Sequence, residues 1–146
     1  PPPARVIYVG AGLAKVQAST SIPIATGENE YTRYGFRDLI ACGGADILQP
    51  DANVLGGITE FRHVASLASA YRLPLAPHGS ALLHVHLVSA FSNGFIVENV
   101  VTEGQGKRGM FKTSLQLDPE GMVSPPEGPG LGLELDEEFL REHLVA

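Results

Sequence analysis

The chain has 146 residues, of which 44% are hydrophobic and 18% charged, and its formal net charge is −6 at pH 7. This length and composition are typical of one globular domain with a real core. The sequence has neither a basic run nor an apolar run of about 20 residues, which argues against nucleic acid and membrane as partners. The single cysteine, Cys42, cannot form an internal disulfide and favours a reducing, cytoplasmic setting.

Short apolar stretches alternate with stretches of helical spacing in the first two thirds of the chain. Strands are predicted at residues 22–26, 47–49, 73–76 and 95–97. Helices are predicted at residues 31–42, 58–71 and 81–91, and residues 14–20 fit the end of a further helix. Short, wholly apolar strands joined by helices are typical of a parallel sheet that is covered on both faces.

The chain changes character after residue 101. Residues 115–135 are rich in glycine and proline, and a hairpin or irregular strands are expected there. Asp136 is predicted to cap a final helix, because the two glutamates after it suit a first helical turn. Residues 104–109 are predicted to form a surface loop, since their glycines and basic residues lack the order of a phosphate-binding motif.

One ionisable residue follows the end of each predicted strand. These residues are Glu28, Asp51, His78 and Glu98. In (β/α) barrels, which spend about 31 residues on each strand–helix unit, catalytic groups lie at the carboxyl ends of the strands. The gaps of 23, 27 and 20 residues each fit one compact unit of this kind. Taken singly, each residue could be a solvated loop residue or a helix cap, but the regular recurrence favours a shared site.

Four segments around these residues point to one family. They are residues 27–37, 46–51, 56–60 and 77–80, which read GENEYTRYGFR, DILQPD, GGITE and PHGS. In this order and spacing they resemble the C-terminal half of the mandelate racemase/muconate lactonizing enzyme branch of the enolase superfamily, from about residue 14 onwards. Within that branch they are most similar to acid-sugar dehydratases of the rhamnonate type.

The resemblance implies a fold that is part of a larger one. Residues 1–101 would supply strands five to eight of a TIM-like (β/α) barrel, and residues 102–146 a C-terminal segment. The other metal ligands and a capping domain would precede Pro1, which is not preceded by an initiator methionine. We therefore expect a piece of a longer protein, with little or no activity by itself. Its open strand edges favour association, and a homo-oligomer is expected.

The resemblance also implies a role for each of the four ionisable residues. Glu28 matches a ligand of Mg²⁺, a cation that prefers carboxylate oxygens. Asp51 and His78 match a dyad in which the carboxylate orients the imidazole and raises its basicity. His78 would abstract the proton α to the substrate carboxylate. Glu98 would bind the substrate and help to stabilise the enediolate that forms.

The implied function is that of the catalytic half of an Mg²⁺-dependent dehydratase. Its substrate would be a sugar acid or another α-hydroxy carboxylate. A racemase, an epimerase or a cycloisomerase of the same superfamily would use the same enediolate, so these activities stay open as alternatives. An inactive truncated chain is a further alternative.

Other histidines and arginines have weaker functional signals. His84 and His86 lie on the predicted helix after His78, and packing is their expected role. The two arginines of the predicted helix 31–42 are expected to pair with acidic neighbours rather than to contact an acidic substrate. The expected acidic partners of Arg33 and Arg37 are Asp38 or Glu30.

Overall fold

The computed structural model describes residues 4–99 and 110–144, with side chains from Gly10 onwards. Eight elements are assigned within these ranges. They are α1 (Ala4–Ala18), β1 (Ala25–Thr26), α2 (Thr32–Ala41), β2 (Ile47–Leu48), α3 (Ala52–Leu55), α4 (Gly57–Ala70), α5 (Ala81–Ala90) and α6 (Glu137–Glu142). The predicted loop at residues 104–109 lies outside the described residues. None of the helices in the described ranges has the length and apolar character needed to span a bilayer.

A row of parallel strand positions runs through the middle of the chain. β1 pairs in parallel with β2, so that Thr26 lies opposite Leu48. Two single parallel bridges extend the row, from Leu48 to Leu75 and from Leu75 to Gly94. The four positions are therefore neighbours in chain order, as the sequence predicted. The third and fourth are single bridges rather than strands, and the fourth precedes the predicted residues 95–97.

The three predicted helices after the first three strand positions are confirmed within one residue at each end, as α2, α4 and α5. The predicted final helix is α6, and the Asp136 carboxylate accepts hydrogen bonds from the backbone N–H groups of Glu138 and Phe139. An antiparallel bridge from Phe111 to Leu135 precedes it. The division at residue 101 stays a prediction.

Two helices go beyond the prediction. α1 starts at Ala4, whereas only residues 14–20 were predicted to be helical. α3 is a single turn that the sequence analysis missed. Asp51 is its N-cap, and the Asp51 carboxylate accepts a hydrogen bond from the backbone N–H of Asn53. A side-chain cap of this kind can start a short helix directly after a strand.

The apolar core lies where the sheet meets the helices. It joins buried side chains from α2, β2, α3, α4, the third strand position and α5. Its largest members are Phe36, Leu48, Leu55, Phe61 and Leu75. The two outer strand positions are different, because Ile22, Phe95 and Ile96 are more than half exposed there. The core is thus continuous in the middle of the row and open at both edges.

Two arginines of α2 pair with acidic residues. Arg37 pairs with Asp38 at 2.7 Å, as expected. Arg33 does not pair with Asp38 or Glu30, which corrects the prediction: its Nε and Nη2 donate to the two carboxylate oxygens of Glu60 on α4, at 2.8 and 2.7 Å. The backbone N–H of Arg33 also donates to Glu60, at 2.7 Å. One carboxylate therefore binds the start of α2 to α4.

Gly27 makes the turn between β1 and Glu28. Its φ is +124°, a conformation that side chains disfavour. A Cβ atom at this position would lie 2.7 Å from Cε1 of Phe36, a ring of the core. The glycine therefore lets the chain pass close to α2 before Glu28.

Gly27→Ala is expected to lower the free energy of unfolding by at least about 2 kcal/mol, because backbone strain and overpacking each cost about 1–3 kcal/mol. Urea denaturation measures this change. Gly43→Ala is the matched control: Gly43 has a φ of +68°, but nothing lies within 4 Å of its added Cβ. Equal losses in the two variants would contradict the role given to Phe36.

The Arg33–Glu60 contact predicts a pH dependence of stability. Hydrogen bonds from Arg33 hold the pKa of Glu60 below its usual value of 4.5. The contact therefore stabilises the fold above pH 4.5, and this stabilisation is lost as the pH falls through the lower pKa of the folded state.

Urea denaturation between pH 6 and pH 3 should show a smaller loss of stability in Glu60→Gln than in the unmodified chain. Arg33→Gln removes the guanidinium but keeps the backbone N–H that donates to Glu60, so its loss should lie between that of Glu60→Gln and that of the unmodified chain. An unchanged pH dependence in both variants would contradict the assignment.

Candidate active site

Three of the four predicted site residues meet in the structure. Nδ1 of His78 lies 2.8 Å from Oε2 of Glu98 and 3.4 Å from Oε2 of Glu28. The three residues follow the third, fourth and first strand positions. Their side chains are between 37% and 48% exposed, so the group is open to a ligand from solvent.

Glu98 contacts both the side chain of His78 and the backbone after it. The same oxygen that faces the imidazole accepts a hydrogen bond from the backbone N–H of Gly79, at 2.8 Å. A carboxylate in this position fixes the direction of the ring and favours a proton on Nδ1. The opposite nitrogen, Nε2, is then the one left to accept a proton.

Asp51 lies beside a different histidine. Its Oδ1 accepts hydrogen bonds from N and Nδ2 of Asn53, at 2.8 and 2.9 Å, and lies 3.6 Å from Nε2 of His84. Within the described residues, no ion pair joins Asp51 to His78. Asn53 also donates to Oγ of Ser80, at 2.6 Å, and so connects Asp51 with the loop of His78. The predicted dyad itself stays a prediction.

His84 is the site residue whose role sequence analysis missed. Packing was expected, and the ring is fully buried and stacked on Phe61 with centroids 6.0 Å apart. Burial lowers the pKa of His84. Its two ring nitrogens also bind backbone groups of both neighbouring loops. His86, by contrast, is partly exposed, and its Nε2 lies 3.1 Å from the carbonyl oxygen of Leu131.

Glu28 is the predicted metal ligand, and its carboxylate is the hard oxygen donor that Mg²⁺ prefers. Oε1 accepts a hydrogen bond from Nδ2 of Asn29 at 3.1 Å. No group of three acidic, histidine or cysteine side chains able to hold a metal occurs in the part of the chain that the structure describes. The chemistry of Glu28 therefore fits Mg²⁺, but a complete site needs further oxygen ligands.

A cavity of about 600 Å³ adjoins these loops. Asn53 and Ser80 line its polar side, next to the start of α5. Apolar side chains of the C-terminal segment close the other side, among them Phe111 and Leu131. The C-terminal segment therefore forms part of the surroundings of the site.

Comparison with known proteins places this geometry in a family. A family model described as enolase C-terminal domain-like matches residues 8–139. The chain is 37% identical over 136 residues to an L-rhamnonate dehydratase of Saccharopolyspora erythraea, a match that covers 90% of this chain and 35% of the relative. It is 38% identical over 136 residues to a D-galactonate dehydratase of Variovorax paradoxus, covering 85% of this chain and 35% of the relative.

Solved structures agree with the sequence comparison. An L-talarate dehydratase from Polaromonas sp. JS666, determined with Mg and L-glucarate, is 37% identical and superposes with a TM-score of 0.78. That match covers 90% of this chain and 34% of the solved chain. The chain thus spans about a third of the length of the relatives that it matches. The predicted fold class, the C-terminal half of a TIM-like (β/α) barrel with strands five to eight, is confirmed.

The match over residues 8–139 and the row of four parallel strand positions lead to the same assignment. The chain belongs to the enolase C-terminal domain-like family, in the mandelate racemase/muconate lactonizing enzyme branch of the enolase superfamily.

Proposed function

We propose that the chain is the C-terminal catalytic half of an Mg²⁺-dependent acid-sugar dehydratase. One observation is central to the proposal: Nδ1 of His78 lies within 3.4 Å of two carboxylates, Glu28 and Glu98, at the carboxyl ends of parallel strands. Similarity to dehydratases of L-rhamnonate, D-galactonate and L-talarate supports an acid sugar as the substrate. A single cysteine supports a reducing, cytoplasmic setting.

His78 is the proposed base. With Nδ1 held by Glu98, Nε2 takes the proton from the carbon α to the substrate carboxylate. The C–H electron pair moves into an enediolate, and the positively charged imidazolium then donates the same proton to the β-hydroxyl as that group leaves as water. The enol that remains tautomerises to a 2-keto-3-deoxy acid. Glu98 binds the substrate near its carboxylate and helps to stabilise the enediolate.

Glu28 is the proposed Mg²⁺ ligand of this chain. When bound, the cation stabilises negative charge that develops on the substrate carboxylate. Asp51 is proposed as the partner of His78 in a dyad: it takes the place of Glu98 at Nδ1 once the imidazole turns away from Glu98, and Nε2 stays the base. The link through Asn53 supports this role, because Asn53 joins the Asp51 carboxylate to the loop of His78.

We also propose that the isolated chain is inactive and that it associates. Glu28 alone cannot replace the several oxygen ligands that Mg²⁺ takes. Ile22, Phe95 and Ile96 are more than half exposed at the two outer strand positions, and covering them would remove apolar surface from water. A homo-oligomer is the proposed assembly. Racemase, epimerase and cycloisomerase activity stay open as alternatives, since each uses the same enediolate.

His78→Asn is expected to lower turnover at least about 100-fold, because general acid–base catalysis contributes about 10²–10⁴-fold. The assay supplies the protein that contains this chain with Mg²⁺ and a panel of aldonic and aldaric acids, and measures the 2-keto-3-deoxy product. His63→Asn is the control, because His63 is exposed on α4. Full activity in His78→Asn would refute the site assignment. Exchange of the α proton with solvent deuterium, without loss of water, would indicate a racemase or an epimerase.

Calorimetric titration of the isolated chain with Mg²⁺ should give the same weak heat as titration of Glu28→Gln. The physical reason is that a single carboxylate binds Mg²⁺ poorly. Tight one-to-one binding that disappears in Glu28→Gln would show instead that this chain alone completes a metal site.

A further inference from the structure

His84 connects the two loops that hold Asp51 and His78. The backbone N–H of Ala52 donates to Nε2 of His84 at 3.0 Å, and Nδ1 of His84 lies 2.7 Å from the carbonyl oxygen of Gly79. Ala52 directly follows Asp51, and Gly79 directly follows His78. One imidazole thus reaches the backbone next to two predicted catalytic residues.

The hydrogen bonds assign the tautomer of this ring. Because Nε2 accepts from the N–H of Ala52, it has no proton, and the ring proton lies on Nδ1, which donates to Gly79. Two ionisable groups act on the pKa of this ring: Asp51 raises it and His78 lowers it. Full burial opposes a charged ring, and so the neutral form is the stable one.

Both backbone polar groups of Gly79 make hydrogen bonds. Its carbonyl oxygen accepts from His84, and its N–H donates to Glu98 at 2.8 Å. His84 is held in turn by the core, since its ring stacks on Phe61 of α4. The core therefore fixes the imidazole of His84, and the imidazole in turn fixes the backbone next to His78.

We propose that His84 is a positioning residue that sets the separation of Asp51 and His78 by binding both loops. The proposal rests on the function given above, in which His78 is the base. A donor and an acceptor on one rigid ring are needed for this task, because Ala52 offers an N–H and Gly79 a carbonyl oxygen. His84 touches neither substrate nor metal in this role.

Three variants test the proposal. His84→Phe keeps an aromatic ring on Phe61 but offers neither a donor nor an acceptor. His84→Gln offers one of each, at about the spacing of the two ring nitrogens, and is the conservative rescue. Leu87→Ala is the matched control, because it removes a buried apolar side chain from the same helix.

The kinetic result expected for His84→Phe is a fall in kcat of at least about tenfold, with KM changed less than about threefold, because small displacements of catalytic groups cost rate. His84→Gln should recover most of kcat, and Leu87→Ala should keep it. A loss of kcat in Leu87→Ala as large as that in His84→Phe would overturn the proposal, since general destabilisation would then explain both.

Amide hydrogen exchange tests the contact without any substrate. The Ala52 amide is compared with that of Ala76, which donates to Leu48 in the sheet. Exchange at Ala52 should become faster relative to Ala76 in His84→Phe, but not in His84→Gln or Leu87→Ala. An unchanged ratio in His84→Phe overturns the proposal whatever the activity. A protein that converts none of the acids refutes the proposed function instead, and exchange then still decides whether His84 holds the loop.

Discussion

The parallel alignment of four neighbouring strand positions is the constraint on which the rest of this structure depends. Parallel strands that follow one another in chain order direct all their carboxyl ends to the same edge. Residues far apart in the sequence, such as Glu28 and Glu98, are thereby brought to the same imidazole. The buried side chains of β2 and of the third strand position hold this alignment, because they pack against the helices on which the sheet rests.

The alignment of the strands does not by itself orient the side chains of the site. A network of hydrogen bonds orients them. Glu98 binds both the ring and the following backbone of His78. Asn53 joins Asp51 to Ser80 in the next loop. His84 adds the buried part of the network. Hydrogen bonds of this kind are strongest where water is excluded, and the buried ring lies at the inner end of the network.

Stretches of helical spacing were sufficient to predict α2, α4 and α5. The recurrence of ionisable residues pointed to Glu28, His78 and Glu98, which meet in the structure. Strand lengths could not be predicted, because they depend on partners that no local pattern specifies. The hydrogen-bond partners of the polar residues could not be predicted either, because they are far apart in the sequence. Arg33 binds Glu60 across 27 residues, and Ala52 binds His84 across 32. The sequence alone does not distinguish a buried histidine that makes two hydrogen bonds from one that only packs in the core.

The contact between Arg33 and Glu60 also completes the start of α2. Tyr31, at the start of α2, provides no side-chain cap, and the Glu60 carboxylate accepts the backbone N–H of Arg33 in its place. A helix that relies on a distant residue for its cap lacks that cap until the other helix docks. The first turn of α2 therefore gains this hydrogen bond only when α2 and α4 are packed together.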